Sequence, residues 1–80
     1  MFISVTAQDI AAGRPKSIMA CPIALAVQRA TGVWDAWAGP FKIAVDGGHN
    51  GTHTTPAAAE DFMRRLDAGE PVQPFIFELV

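Results

Sequence analysis

The chain has 80 residues, of which 50% are hydrophobic, and a formal net charge of −2. This length allows a single domain over residues 1–80 and excludes folds that need about 200 residues or more. The one cysteine excludes the intrachain disulfide framework that stabilises many small secreted domains.

The start of the chain lacks the features of a signal peptide, because residues 1–6 have neither a basic start nor a long apolar run. The longest mostly apolar stretch, residues 18–27, is about half as long as a membrane-spanning helix and contains Pro22. Together with the lone cysteine, these features predict a cytoplasmic protein that does not engage a membrane.

The first two predicted elements are a strand and a short helix. β-Branched residues in alternation predict a strand over Phe2–Thr6. Thr6 then offers a hydroxyl cap to a helix over Ala7–Ala12, in which Asp9 favours the positive end of the helix dipole. Gly13 is expected to end this helix.

The second predicted helix has clear start and stop signals. Cys21 stands at the cap position, Pro22 fits the first helical position, and Gly32 ends the run. Residues 23–27 are apolar on every side of the helix. Such a helix is either central in the fold or buried by a second subunit, and we interpret it as the core helix.

Two strands are predicted next, over Val33–Ala38 and Phe41–Asp46, with a tight connection between them. Trp34 and Trp37 lie three residues apart, so on a regular strand they face opposite sides. We therefore expect one tryptophan in the core and the other at least partly exposed.

The last predicted helix begins with Thr55 as its cap and Pro56 as its first residue, and it ends at Gly69. Two stabilising i,i+4 pairs are expected on its solvent face: Glu60–Arg64 and Asp61–Arg65.

Residues 46–54 contain three glycines and are predicted to form a flexible loop. Residues 75–80 form the closing strand. The resulting order, β-α-α-β-β-α-β, predicts an α+β fold with one small antiparallel or mixed sheet and helices packed on one face.

Charge is unevenly distributed along the chain. Residues 1–45 hold four basic and two acidic residues (net +2), whereas residues 46–80 hold two basic and six acidic residues (net −4). The acidic half argues against nucleic acid as a direct ligand and favours a partner with a basic surface, although an ordinary solvated face remains the alternative. The expected interaction residues are Glu60, Asp61, Asp67 and Glu70, with Trp34 or Trp37 as an aromatic anchor.

Cys21 is the main chemical candidate, because a helix N-terminus stabilises a thiolate. The segment from Cys21 to Ala24 resembles half of a Cys-x-x-Cys motif, but alanine replaces the resolving cysteine. A small capping residue is therefore the favoured interpretation of Cys21. A thiol-dependent enzyme or redox protein remains the alternative.

Other catalytic and metal sites have weaker support. Asp46, His49 and His53 could be imagined as metal ligands, but on a glycine-rich loop their spacing specifies no coordination geometry. Ser4 and Ser17 have no histidine near them in sequence. We therefore expect a protein without a catalytic set, a metal or a cofactor.

Three segments carry a resemblance to known proteins: residues 5–13, 21–26 and 67–79. Together they resemble a group of short bacteriophage and prophage proteins, and the chain is similar within that group to small anti-CRISPR proteins such as the type I-C inhibitors. This resemblance implies a phage-encoded inhibitor that binds a host surveillance complex, such as type I Cascade, and blocks its access to target DNA. The shared motifs are structural, so no residue inherits a role. A virion assembly protein remains a further alternative, forming a homodimer or larger homo-oligomer through the apolar helix and an exposed tryptophan.

Overall fold

The computed structural model describes residues 1–45 and 51–79, and it confirms the α+β class. The elements in chain order are β1 (Phe2–Val5), α1 (Ala7–Ala12), α2 (Pro22–Thr31), β2 (Trp37–Ala38), β3 (Lys42–Ala44), β4 (Thr52–Thr54), α3 (Ala57–Asp67) and β5 (Phe75–Glu78).

The strands of the described residues form two antiparallel sheets, where the sequence predicted one. β1 pairs with β5, so that the first and last strands of the chain are neighbours. The second sheet has the order β2-β3-β4. Helix α2 contacts both β1 and β2. Because residues 23–27 of this helix are apolar on every side, different faces of the helix can pack against the two sheets.

The chain itself buries α2, in agreement with its interpretation as the core helix. Five of its ten residues are buried. The largest fully buried side chains of the protein are Ile3, Val5, Pro22, Ile23, Val27 and Ile43. This core joins α2 to one strand of each sheet.

Two strand predictions require correction. The strand expected over Val33–Ala38 is reduced to Trp37–Ala38, because the N–H of Ala36 donates to the carbonyl of Val33 (3.2 Å) and closes a turn. The loop expected over residues 46–54 contains β4, which pairs with β3. Threonine favours strands, and the neighbouring glycines hid this signal. Residues 46–50 of that loop lie outside the described residues.

The start of α3 also differs from the prediction. Pro56, not Thr55, is the residue before the helix, and it provides no side-chain cap. Thr55 is buried, and its hydroxyl donates to the carbonyl of Gly39 at 2.7 Å. At the other end, Gly69 adopts φ 77° and its N–H donates to the carbonyl of Leu66 (3.0 Å), which completes the expected glycine stop.

Asp9 connects three elements through a buried carboxylate. It accepts the N–H of Thr6 at 2.9 Å, which completes the cap of α1. It also accepts both terminal nitrogens of Arg29 on α2, at 2.5 and 2.9 Å. Arg29 in turn donates to the carbonyl of Ser4 on β1 (2.7 Å). Burial by itself raises the pKa of Asp9, but the hydrogen bonds from Arg29 and Thr6 outweigh it and hold the pKa below the ordinary value.

Replacing this carboxylate tests its contribution to stability. We expect Asp9→Ala to lower the free energy of unfolding at pH 7 by about 2–3 kcal/mol, through the lost cap and the lost charge-assisted bonds. Because the folded-state pKa is lowered, the stabilisation is present above the unfolded pKa of about 3.9 and is lost as pH falls through the lower folded value. Urea denaturation from pH 7 down to pH 2 measures the difference, with Asp35→Ala as the control. A difference that stays constant with pH would contradict this role.

The packing of α1 against the start of α2 generates a second prediction. A Cβ atom on Gly13 would lie 2.5 Å from Cδ of Pro22 and 2.6 Å from its backbone nitrogen. We therefore expect Gly13→Ala to destabilise the protein by about 1–3 kcal/mol through overpacking. In the control, Gly39→Ala, the new Cβ lies 3.5 Å from its nearest neighbour and should change stability little. Equal urea midpoints for the two variants would contradict this prediction.

Candidate functional site

An apolar groove opens between the start of α2, the end of β2 and one side of α3. Its volume is about 270 Å³. Its floor is formed by buried side chains: Cys21, Ile23, Ala38, Phe62 and Met63. Its rim carries the more exposed residues: Lys16, Ile18, Pro40 and Asp67. The rim therefore combines apolar side chains with one charge of each sign.

One wall of the groove is a loop whose backbone groups are hydrogen-bonded to α3 and to β2. The N–H of Lys16 donates to Oδ1 of Asp67 on α3 at 2.9 Å. Lys16 has φ 61°, a left-handed conformation that is unfavourable for a residue with a Cβ. The carbonyl of Ile18 accepts the N–H of Ala38 at 2.8 Å. Asp67 thus helps to fix the loop that forms the rim opposite α3.

Large apolar side chains are exposed on the rim of this groove and next to the rim in sequence. Ile18 is more than half exposed, and Phe41, next to Pro40 on the rim, is 78% exposed. The carbonyl of Phe41 accepts the N–H of Thr55 (3.0 Å), which holds it close to the start of α3. Exposed apolar residues that adjoin a groove are typical of surfaces that contact other molecules.

The two tryptophans differ in exposure. Trp34 lies in the turn before β2 and is 81% exposed, whereas Trp37 on β2 is half-buried rather than part of the core. The side-chain amide of Gln28 holds this turn, because it donates to the carbonyls of Ala36 and Met19, both at 2.9 Å. Of the two tryptophans, Trp34 is therefore the one that is presented to solvent. The positioning role of Gln28 had no signal in the sequence.

The four acidic residues expected to form an interaction surface have different environments. Asp61 pairs with Arg64 (2.5 Å) and with Arg65 (3.0 Å), so its charge is neutralised locally. The Asp61–Arg65 pair was predicted, but Arg64 turns to Asp61 and not to Glu60 as expected. Asp67 accepts the N–H of Lys16, while Glu60 and Glu70 are exposed.

Cys21 lies on the floor of the groove and is only 5% exposed. Its Sγ accepts the N–H of Ala24 at 3.4 Å, as expected for a capping residue. Burial raises the pKa of the thiol, and the charge of Asp67 acts in the same direction. These effects outweigh the N–H groups of Ile23 and Ala24, which favour the thiolate. The cap and the burial agree with the favoured interpretation of Cys21 as a capping residue, and the raised pKa disfavours the thiolate of the alternative.

The candidate metal ligands are only partly described. His53 lies on β4 and is half-buried, opposite Ile43 of β3. Asp46 and His49 lie outside the described residues. Within residues 1–45 and 51–79, no three His, Cys, Asp or Glu side chains come together in a group that could hold a metal.

None of the helices in the described part of the chain has the length and apolar character needed to cross a membrane. Comparison of the chain with protein-family models, with curated proteins and with solved structures finds no match.

The environment of Cys21 predicts slow thiol chemistry. We expect the alkylation rate of the folded protein by iodoacetamide to titrate with a midpoint above the ordinary value of about 8.5, because burial disfavours the thiolate. The same measurement on the urea-unfolded chain is the control, and it should give the ordinary value. A midpoint near pH 7 in the folded protein would instead support a thiol-dependent enzyme.

Proposed function

We propose that this chain is a cytoplasmic, non-catalytic binding protein that docks on another protein through the groove beside α3. The groove with exposed apolar residues on its rim and next to the rim in sequence is the observation that supports this function. Its volume of about 270 Å³ lies below the usual range of small-molecule sites, about 300–1,000 Å³, and suits one large apolar side chain. Such a side chain would be an anchor of the kind that dominates the binding energy of many interfaces.

The distribution of charge supports a partner with a basic surface. Glu60 and Glu70 are exposed on α3 and just after it, and Asp67 lies on the rim of the groove. These carboxylates steer and orient a basic surface more than they strengthen binding. The same acidic character argues against nucleic acid as the direct ligand.

Trp34 is the proposed aromatic anchor outside the groove. A side chain that is 81% exposed has a large apolar area to bury against a partner. Tryptophan is among the residues most enriched at positions that dominate binding energy. Trp37 has less area to contribute, because it is half-buried by the protein itself.

The resemblance to anti-CRISPR proteins makes a host CRISPR surveillance complex, such as type I Cascade, the first partner to test. A protein that occupies the basic surface where target DNA enters would compete with DNA without any catalytic step. The buried position of Cys21 supports this function over a thiol-dependent enzyme, because a buried neutral thiol is a poor nucleophile.

Binding of purified type I Cascade to the immobilised protein tests this proposal. We expect Trp34→Ala, Glu60→Lys and Glu70→Lys each to weaken binding by about tenfold, and the two charge reversals to change its salt dependence. Gln8→Lys is the control, because it adds a positive charge at an exposed position on α1 and should leave the affinity unchanged. No binding by the unmodified protein, or equal binding by all four variants, would refute the proposal.

A further inference from the structure

The β1–β5 sheet has two outer edges, and the hydrogen-bond pattern identifies the backbone groups on each. Met1 and Leu79 exchange both N–H to carbonyl bonds, at 3.1 and 2.8 Å. Bonded pairs alternate along an antiparallel ladder, so the odd-numbered residues of β1 and β5 bond to each other. The N–H and carbonyl groups of Ile76 and Glu78 therefore point away from β1, at the outer edge of β5.

The chain covers the end of the outer edge of β1 nearest α1. Arg29 donates to the carbonyl of Ser4 (2.7 Å), and the carboxylate of Asp9 accepts the N–H of Thr6 (2.9 Å) directly after the strand. A strand approaching this edge would have to displace the Arg29 guanidinium from its buried partner. Covering an edge in this way prevents association through it.

At the outer edge of β5, no hydrogen bond from the described part of the chain reaches the outward N–H and carbonyl groups of Ile76 and Glu78. Among residues 1–45 and 51–79, β1 is the only strand that pairs with β5. The exposed face beside this edge carries Ile76, which is 65% exposed, and Phe2 on β1, which is 71% exposed. A two-stranded sheet is marginal in water, and an open edge with an exposed β-branched residue is a template for another strand.

We propose that the outer edge of β5 pairs with the same edge of a second copy of this chain. The two strands are antiparallel, and a two-fold axis passes beside Phe77. The result is a four-stranded sheet with the order β1-β5-β5-β1. This interface differs from the α2 interface expected for a virion assembly protein. The chain itself already buries half of the residues of α2.

The sequence of β5 favours this register over the two registers in which the two-fold axis is shifted by one residue. An axis at Glu78 would place the carboxylates of the two copies directly opposite each other, which is destabilising. An axis at Ile76 would place Glu78 opposite Pro74, which has no N–H to donate. An axis at Phe77 instead places Ile76 opposite Glu78 of the second copy, so that the outward N–H and carbonyl groups of both residues are bonded. The two Ile76 side chains are then diagonal neighbours on the exposed face.

Two substitutions of opposite charge at one position test this register. Ile76→Glu would place a second carboxylate opposite Glu78 of the other copy, and we expect the dimer dissociation constant to rise at least about tenfold. Ile76→Lys would place an ammonium there, and we expect a constant within about threefold of that of the unmodified protein. A dimer held by a non-specific apolar contact of Ile76 would be weakened by both substitutions, and that result would overturn the proposal.

Sedimentation equilibrium from about 1 µM to about 1 mM protein measures the assembly. Ile76→Pro removes the outward N–H and should leave a monomer, while Phe2→Ser changes the same exposed face away from the β5 edge and should still dimerise. Circular dichroism and thermal unfolding check that each variant is folded. An unmodified protein that stays monomeric at about 1 mM would refute the dimer, whether or not the chain binds Cascade.

Discussion

The ion pair between the buried carboxylate of Asp9 and the half-exposed guanidinium of Arg29 is the interaction on which the arrangement of the first three elements depends. It caps α1, ties α1 to α2 and covers the end of the outer edge of β1 nearest α1 through the carbonyl of Ser4. Because burial disfavours the ionised carboxylate, Asp9 relies on the hydrogen bonds from Arg29 and Thr6 to hold its charge. One carboxylate therefore caps a helix and also holds the arginine that binds the outward carbonyl of Ser4 on β1.

The groove depends in the same way on contacts between distant parts of the chain. Its loop wall includes Lys16 in a left-handed conformation, and the N–H of this residue is bonded to Asp67, 51 residues later. Strained backbone of this kind persists only where the surrounding structure determines it, and such strain often occurs at functional sites. The enclosure that makes the groove apolar also buries Cys21 and disfavours its thiolate, so a site suited to an apolar anchor is poorly suited to thiol chemistry.

Local signals predicted the parts of the fold that local physics determines. The caps at Thr6, Cys21 and Gly32 and the buried helix between the last two agree with the sequence analysis. Some failures occur where a long-range contact competes with a local preference, and others where a nearer partner in the sequence replaces the expected one. The Thr55 hydroxyl donates to Gly39, 16 residues away, and so does not cap α3. Asp61 attracts Arg64 away from Glu60. The division into two sheets and the exposure of Trp34 also depend on tertiary packing, which residue spacing does not encode.

Charge counted along the sequence differs from charge presented at the surface, and this difference changes what the acidic half can do. Asp61 sits between two arginines, so together they add a net positive charge to the middle of α3. Around α3, the negative charge that remains is at Glu60, near the start of the helix, and at Asp67 and Glu70, near its end. Separated carboxylates of this kind orient a basic partner but bind it weakly, because each is screened by solvent. Affinity then has to come from apolar burial in the groove and at Trp34, so the charges select the partner and the apolar surface holds it.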